Sequence, residues 1–523
     1  MDDRLAAAWR LLPGYLSQHV LLSLCALVLG FAISLPLAVA ASRSAAVRWP
    51  SLFAASLIQT IPSLALLALF YPLLLAVSAA SLAWLGHGFP ALGFLPSLLA
   101  LTLYSMLPIL RNGVAGILGV DPAAVEAARG MGMTSFQRLT RVELPLAAPV
   151  IMAGARTAAV WTIGAATLST PVGQTSLGNY IFSGLQTENW VFVLFGCAAS
   201  AVLALAADQL LGLIESGLAR RSRWRVWAGA LGLVVGAAAA LSPLIAAPAG
   251  ASYVVGAKNF SEQYILAELM AGRIEAAGGR VTRKEDLGSA TAYRALAAGE
   301  VDAYVDYSGT LWTNVLKKSG NPGRRAVLDG LTKGLMARDG VVILGPLGFE
   351  NAYALAMRAG RAKALGIASI ADLAAQAGTL RLGSDLEFLS RPEWAALRGA
   401  YGLAFRKETA YQPTFMYRAL EGGEVDVISA FSSDGRIAAD HLTILADPRH
   451  ALPPYDAVIL ISPRRAHDRL LRAALAPLIG SITVEAMRAA NFSVDRDRNK
   501  LTPAQAARAL LPPTPLPVRR RNA

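Results

Sequence analysis

Charge is scarce in this sequence: Asp, Glu, Lys and Arg make up 16% of 523 residues, and cysteine and histidine occur only two and five times. Cys25 and Cys197 each sit inside an apolar run, so neither a disulfide framework nor a thiolate metal cluster is available. His19, His87, His441, His450 and His467 are scattered without ligand spacing, which leaves no metal set; His441 and His450 read as surface residues. No nucleophile–base pair stands out, so no catalytic residue, metal or cofactor is expected. The phosphate-binding pattern G-x-x-x-x-G-K-S/T is missing, and without it the chain has no means of its own to draw energy from a nucleotide. A basic stripe with interleaved aromatics is missing too, which argues against nucleic acid. The net charge of +13 instead gathers at the ends of apolar runs (Arg220, Arg221, Arg223, Arg225) and in the tail (Arg519, Arg520, Arg521), where it orients membrane segments.

What the sequence has in abundance is apolar residues, 54% of the chain. A bilayer core requires about 20 of them per helix, and runs near 20–41, 52–77, 91–110, 148–170, 191–214 and 227–248 reach that length. The first run is too long for a signal peptide and is followed by further spans. Segments 42–51, 111–147 and 215–226 are basic, whereas 78–90 and 171–190 hold no Lys or Arg. Basic loops stay cytoplasmic. The N-terminus is therefore expected outside, and everything after about residue 250 on the extracytoplasmic face. The junction Pro243-Leu-Ile-Ala-Ala-Pro-Ala-Gly-Ala-Ser252 is short and would tether the following domain at high effective concentration.

Between the third and fourth runs stand Glu126-Ala127-Ala128, then Gly132, then Val142-Glu143-Leu144-Pro145. Small residues on a short helix let another protein approach closely, and a glycine permits the turn that lays the helix along the membrane. This spacing resembles the coupling loop of ATP-binding-cassette importer permeases, E-A-A, three residues, G, nine residues, I-x-L-P, with Val142 in place of Ile. The resemblance implies that Glu126, Ala127, Ala128, Gly132 and Pro145 couple the chain to a separate ATPase subunit on the cytoplasmic face, and that the permease forms a homodimer. Gln59-Thr-Ile-Pro-Ser-Leu-Ala65 also resembles osmoprotectant importers of that superfamily.

From Tyr253 to about Leu511, short β-rich runs alternate with Ala/Leu-rich helical stretches, an α/β pattern. Tyr293-Arg-Ala-Leu-Ala-Ala-Gly-Glu-Val-Asp302 recurs as Tyr417-Arg-Ala-Leu-Glu-Gly-Gly-Glu-Val-Asp426. The echo predicts two lobes of like design, each with an aromatic, Tyr307 or Phe431, at a strand end where ligands bind, closing by a hinge. Aromatics are only 7% of the chain, yet Tyr307, Tyr353, Phe431 and Tyr455 fall at expected strand ends and loops, and several rings can cage a quaternary ammonium. A carboxylate at the ligand's other end requires donors such as Lys258, Thr310 and Arg391.

The motifs Lys258-Asn-Phe-Ser-Glu-Gln263, Asp306-Tyr-Ser-Gly-Thr310, Gly348-Phe-Glu-Asn-Ala-Tyr-Ala-Leu355, Glu387-Phe-Leu-Ser-Arg391, Ser432-Ser-Asp-Gly-Arg436 and Pro453-Pro-Tyr-Asp456 resemble the binding proteins for glycine betaine, choline, carnitine and related osmoprotectants. The resemblance implies that Lys258, Thr310 and Arg391 hold a carboxylate, that Tyr307, Tyr353, Phe431 and Tyr455 form the cage, and that Asn351 offers its backbone carbonyl to the cation. Phe431 stands where such proteins commonly have Tyr, keeping the ring face without the hydroxyl. Ergothioneine importers resemble the same fused layout, and their ligand is itself a betaine.

The expected architecture is an all-α six-helix transmembrane permease domain followed by an α/β two-lobed periplasmic-binding-protein-like domain. The parts are a permease domain over 1–226 with coupling loop 121–147, the sixth span and linker over 227–252, a solute-binding domain over 253–511 and a basic Pro-rich tail over 512–523. The expected function is import of a quaternary ammonium osmoprotectant through a multi-pass inner-membrane protein, with ergothioneine as the alternative cargo. A membrane-anchored receptor is the alternative of another class, although a receptor needs neither six spans nor the 126–145 loop.

Overall fold

The computed structural model describes residues 3–187, 189–245, 252–318, 320–385, 388–411, 413–496 and 499–510. The tail 512–523, linker residues 246–251 and Glu387 lie outside the described residues. The chain divides into two units, Met1–Phe182 with Val191–Pro248, and Ser183–Trp190 with Ala249–Ala523.

The first unit is helical: α1 (Asp3–Arg43), α2 (Ala45–Thr60), α3 (Ser63–Leu85), α4 (Phe94–Leu118), α5 (Pro122–Gly130), α6 (Ser135–Arg138), α7 (Leu144–Ala166), α8 (Gly178–Gln186), α9 (Trp190–Ala219) and α10 (Arg223–Ile245). Among the described residues, six helical segments are long and apolar enough to cross a membrane. The run 52–77, expected as one span, is instead divided between α2 and α3. Ile61 precedes Pro62 and is extended (φ −76°, ψ 127°), because the proline ring disfavours helical backbone in the residue before it. The second span is α3 alone. Close packing of α1, α4 and α7 rests on small residues: a Cβ at Gly113 would stand 2.7 Å from the Ala38 Cβ, and one at Gly154 2.7 Å from the Pro108 carbonyl oxygen. Such approach is how helices associate where lipid offers no hydrophobic gain.

Between α4 and α7 the chain makes a compact loop built of short helices. Asp121 caps α5 by accepting the Ala123 N–H at 2.9 Å, Gly132 turns with φ +75°, and Thr134 with Gln137 forms a capping box on α6. A π-helical turn over Leu139–Glu143 then leads into α7.

The second unit is α/β, with two five-stranded sheets among the described residues. The first has the order β2-β1-β3-β10-β4, from β1 (Ser252–Lys258), β2 (Arg280–Leu287), β3 (Ala303–Tyr307), β4 (Val342–Glu350) and β10 (Asp456–Ile461). The second has the order β7-β6-β8-β5-β9, from β5 (Tyr353–Arg358), β6 (Arg381–Asp385), β7 (Lys407–Tyr411), β8 (Val427–Phe431) and β9 (Leu442–Ile444). The chain crosses between lobes after β4 and before β10. Helices α11 (Ser261–Ala276) and α12 (Ser289–Ala297) cover the first sheet's connections.

The repeated decapeptide occupies equivalent places in both lobes. Each copy ends a helix at a glycine of positive φ, Gly299 at +75° and Gly423 at +73°. Its aspartate then accepts a backbone N–H of the neighbouring parallel strand: Asp302 from Val254 at 2.8 Å and Asp426 from Arg381 at 3.1 Å. The strands that follow, β3 and β8, end on Tyr307 and Phe431.

Candidate ligand-binding site

The aromatic positions come together because of strand direction. Tyr307 ends β3 and Phe431 ends β8, while β5 and β10 run antiparallel to these strands. Tyr353 at the start of β5 and Tyr455 just before β10 therefore reach the same edges, where side chains from two α/β sheets converge. Tyr353 is registered directly opposite Phe431, with ring centroids 4.8 Å apart. Tyr455 meets Tyr353 edge-on at 5.8 Å. Phe260 links the lobes, stacked on Tyr307 at 6.2 Å and on Phe431 at 6.0 Å. Phe388 backs Tyr353 at 5.1 Å. Gly309 makes room for the Tyr455 ring: a Cβ there would fall 2.6 Å from it.

The two basic residues stand against these rings. Arg391 lies 5.4 Å over the Tyr353 ring and Lys258 5.2 Å over the Tyr307 ring. The Lys258 ammonium is buried and ion-paired to Asp306, whose other oxygen takes the Tyr304 hydroxyl at 2.5 Å. Arg391 donates to Ser289 Oγ of the first lobe at 3.2 Å and lies 3.8 Å from Glu393. Glu393 Oε1 in turn accepts the Tyr455 hydroxyl at 2.8 Å and the Thr313 hydroxyl at 3.1 Å. These contacts join the lobes, so the cleft is closed. Thr310 is buried in the short helix after Tyr307, and Asn351 lies on the first crossover, its N–H donating to the Tyr455 carbonyl at 3.0 Å. Lys258 with Tyr307, and Arg391 with Tyr353, Phe431 and Tyr455, are thus brought together in two adjoining groups.

Three residues that sequence reasoning did not single out complete the arrangement. Phe260 and Phe388 lie inside quoted motifs, but nothing in their spacing distinguishes them from core. Glu262 is buried in the first turn of α11 and accepts Tyr307 at 2.6 Å, Asn351 at 2.9 Å and Asn491 at 2.8 Å. Burial pushes its carboxyl up from the usual range, against these hydrogen bonds, which pull it down. Burial also raises the Tyr307 and Tyr455 phenols far above their ordinary value, reinforced by Glu262 and Glu393 respectively, so both stay neutral donors. Asn351 Oδ1 and Glu393 Oε2 are buried without a hydrogen-bond partner. Ring faces, the two cations and the buried carboxylates of Glu262, Asp306 and Glu393 thus meet where the two lobes join.

Residues 30–220 match the family described as binding-protein-dependent transport system inner membrane component. Residues 251–511 match the substrate binding domain of ABC-type glycine betaine transport system. The choline transport system permease protein OpuBB of Bacillus subtilis (strain 168) is 39% identical over 201 residues, 38% of this chain and 85% of that protein. The chain belongs to the ABC importer permeases. Here the permease domain is fused to a substrate-binding domain. The same fusion is named in the ergothioneine transport permease/ergothioneine binding protein EgtU of Helicobacter pylori (strain G27), 29% identical over 84% of this chain and 79% of that one. A crystal structure described as a glycine betaine/carnitine/choline ABC transporter aligns with 49% of this chain and 96% of its own, at 27% identity and a TM-score of 0.43. The chain is a multi-pass membrane protein and an importer component.

Proposed function

We propose that this chain imports a zwitterion bearing a quaternary ammonium, such as glycine betaine or carnitine, or the cation choline, serving as both permease and binding domain while a separate ATPase supplies the energy. The observation that carries the reading is the meeting of Tyr307, Tyr353, Phe431 and Tyr455 from two lobes with Arg391 at 5.4 Å from one of the rings. In this reading the rings take the trimethylammonium group, while Arg391, Thr310 and Lys258 serve the carboxylate, Lys258 after partial release from Asp306. Asn351 faces the cation with its carbonyl.

The binding domain works on the extracytoplasmic face, opposite the basic loops. Residues 121–147 dock on the ATPase through Glu126, Ala127, Ala128, Gly132 and Pro145; exposed Met131 and Phe136 beside them support a docking role. Two copies of the permease pair around the path, giving two tethered binding domains per assembly. The domain limits are those expected from the sequence, with the solute-binding part over 253–511. Ergothioneine is the second reading, favoured by the fused Helicobacter relative.

Titration calorimetry of the detergent-solubilised chain with glycine betaine, carnitine, choline and ergothioneine tests the ligand, and heat from none of them defeats the reading. Uptake that requires the ATPase separates an importer from a receptor, which would bind without accumulation.

A further inference from the structure

Besides the two chain crossovers, the lobes of the second unit are joined by a helix that belongs to one lobe and grips the other. Helix Val484–Asp495 follows β10 of the first sheet and packs on α11, so it is part of the first lobe. Opposite it stands the turn 432–436, which follows β8 of the second sheet. Arg488, Asn491, Phe492 and Asp495 fall at i, i+3, i+4 and i+7, one stripe of the helix, and each meets this turn. Arg488 Nε donates to the Ser432 carbonyl at 2.8 Å and Asn491 Nδ2 to the Ser433 carbonyl at 2.9 Å. Asp495 lies 3.8 Å from Arg436. The backbones approach so closely that a Cβ at Gly435 would stand 2.5 Å from Phe492 Cβ and 2.6 Å from the Arg488 carbonyl oxygen.

Asn491 is the centre of this seam. It is buried, and its nitrogen donates a second time, to Glu262 Oε2 at 2.8 Å. A carboxylate and a carbonyl only accept, which fixes the amide nitrogen between them. Its two N–H groups are therefore divided between the lobes. On the first-lobe side Glu262 holds the Tyr307 hydroxyl at 2.6 Å. On the other side Ser433 lies two residues beyond Phe431, and Ser432 between them is tied to the first crossover. Its N–H donates to the Ala352 carbonyl and its Oγ accepts the Ala352 N–H, both at 2.9 Å. One amide thus connects the anchorages of two rings, one from each lobe. The seam borders a cavity of about 810 Å³ lined by Tyr417, Arg436, Phe492 and Asp495 among others, so the grip is confined to a narrow stripe.

We propose that the Val484–Asp495 helix is the latch that closes the binding domain, with Asn491 as a positioning residue that brings the Tyr307 and Phe431 rings together. The latch rests on the reading that cargo binds between the lobes. Its contacts join first lobe to second, so a hinge opening parts them. When only the closed form binds, the apparent Kd is the intrinsic one divided by the closed fraction. A residue that acts on the closed fraction alone therefore changes every ligand by one factor.

Gly435 offers a direct probe. Its φ of −68° and ψ of −23° suit any residue, so Gly435→Ala brings no backbone strain and its methyl group collides only in the docked seam.

The test uses the full chain in detergent, carrying Cys25→Ser and Cys197→Ser, with dyes on Lys333→Cys of the first lobe and Lys407→Cys of the second, both exposed. Energy transfer reports lobe separation, and calorimetry with glycine betaine and choline reports affinity. Gly435→Ala and Asn491→Ala are expected to lower energy transfer in the ligand-free chain. Both should raise the Kd of the two probes by the same factor, about tenfold or more. Unchanged energy transfer and Kd, or a loss that only tracks a lowered unfolding midpoint, overturns the latch. Losses that differ between the probes overturn it too, because they put Asn491 against the cargo. Should these chains fail to fold, Arg488→Gln, at a half-buried position, decides by the same readings. A parental chain that binds neither probe defeats the cargo reading; the latch then stands if Gly435→Ala opens the ligand-free chain and falls if it does not.

Discussion

The Tyr307 hydroxyl donates to the buried Glu262 carboxylate at 2.6 Å and accepts from Gln263 at 2.9 Å, so one side chain both offers a ring face to the cleft and satisfies a buried acid. The two roles separate by mutation. Tyr307→Phe keeps the ring and should bind glycine betaine with nearly parental affinity. It should also lower stability by about 1–2 kcal/mol, because Glu262 loses a donor. Tyr307→Ala should lose at least about 1–2 kcal/mol of binding. Calorimetry and thermal unfolding on the same preparations check both.

Arg391 lies over the Tyr353 ring and bonds to Ser289 across the cleft. Arg391→Ala should weaken glycine betaine more than choline, because it removes a charge-assisted donor to a carboxylate that choline lacks. Equal losses for both ligands, with a lowered unfolding midpoint, would show that the arginine only holds the lobes together.

Gly132 adopts φ +75° with nothing within 4 Å of an added Cβ, so a larger residue meets backbone strain and no clash. The left-handed conformation costs a non-glycine residue roughly 1–2 kcal/mol, enough to redirect the turn after α5. Gly132→Leu is expected to bind ligand normally while transport and ligand-stimulated ATPase activity fall. Unchanged transport at normal expression counts against docking through this loop.

Asp286 is buried at the end of β2, accepts the Tyr264 hydroxyl, and has its carboxyl pushed up to about 7 by burial. Because the folded value lies above the unfolded one, the folded state holds the proton more tightly. Its contribution to stability is greatest below about pH 4 and declines as pH rises to about 7, by up to about 4 kcal/mol. Asp286→Asn keeps an acceptor for Tyr264 and has no charge to bury. Its unfolding midpoint should exceed the parent's at pH 8, and the gap should close towards pH 4; a constant gap across that range would exclude Asp286 as the titrating group.

Much of this protein was readable along the chain. Run length alone requires membrane spans, since a helix in lipid must be apolar over the bilayer thickness. The echo of Tyr293–Asp302 in Tyr417–Asp426 announced two like lobes, because helix end, glycine turn and strand start are all local choices. The clustered rings of Tyr353, Phe431 and Tyr455 carried a signal as well, standing at strand ends rather than strand centres. What stayed hidden depends on partners far away in sequence. Glu262 and Glu393 look like ordinary surface carboxylates until Asn351, Asn491 and Tyr455 arrive from other elements to satisfy them. Lys258 looks like a free cation until β3 brings Asp306 beside it. Arg156 and Asp208 are isolated charges in two separate apolar runs, and their pairing exists only once α7 and α9 are side by side. Sequence by itself determined the elements and their membrane or globular character, because hydrophobic patterning and backbone chemistry act over a few residues. Tertiary structure decided which buried charges are partnered and which ring faces stand against them, because electrostatic satisfaction is settled by groups that only the folded chain brings within a few ångströms.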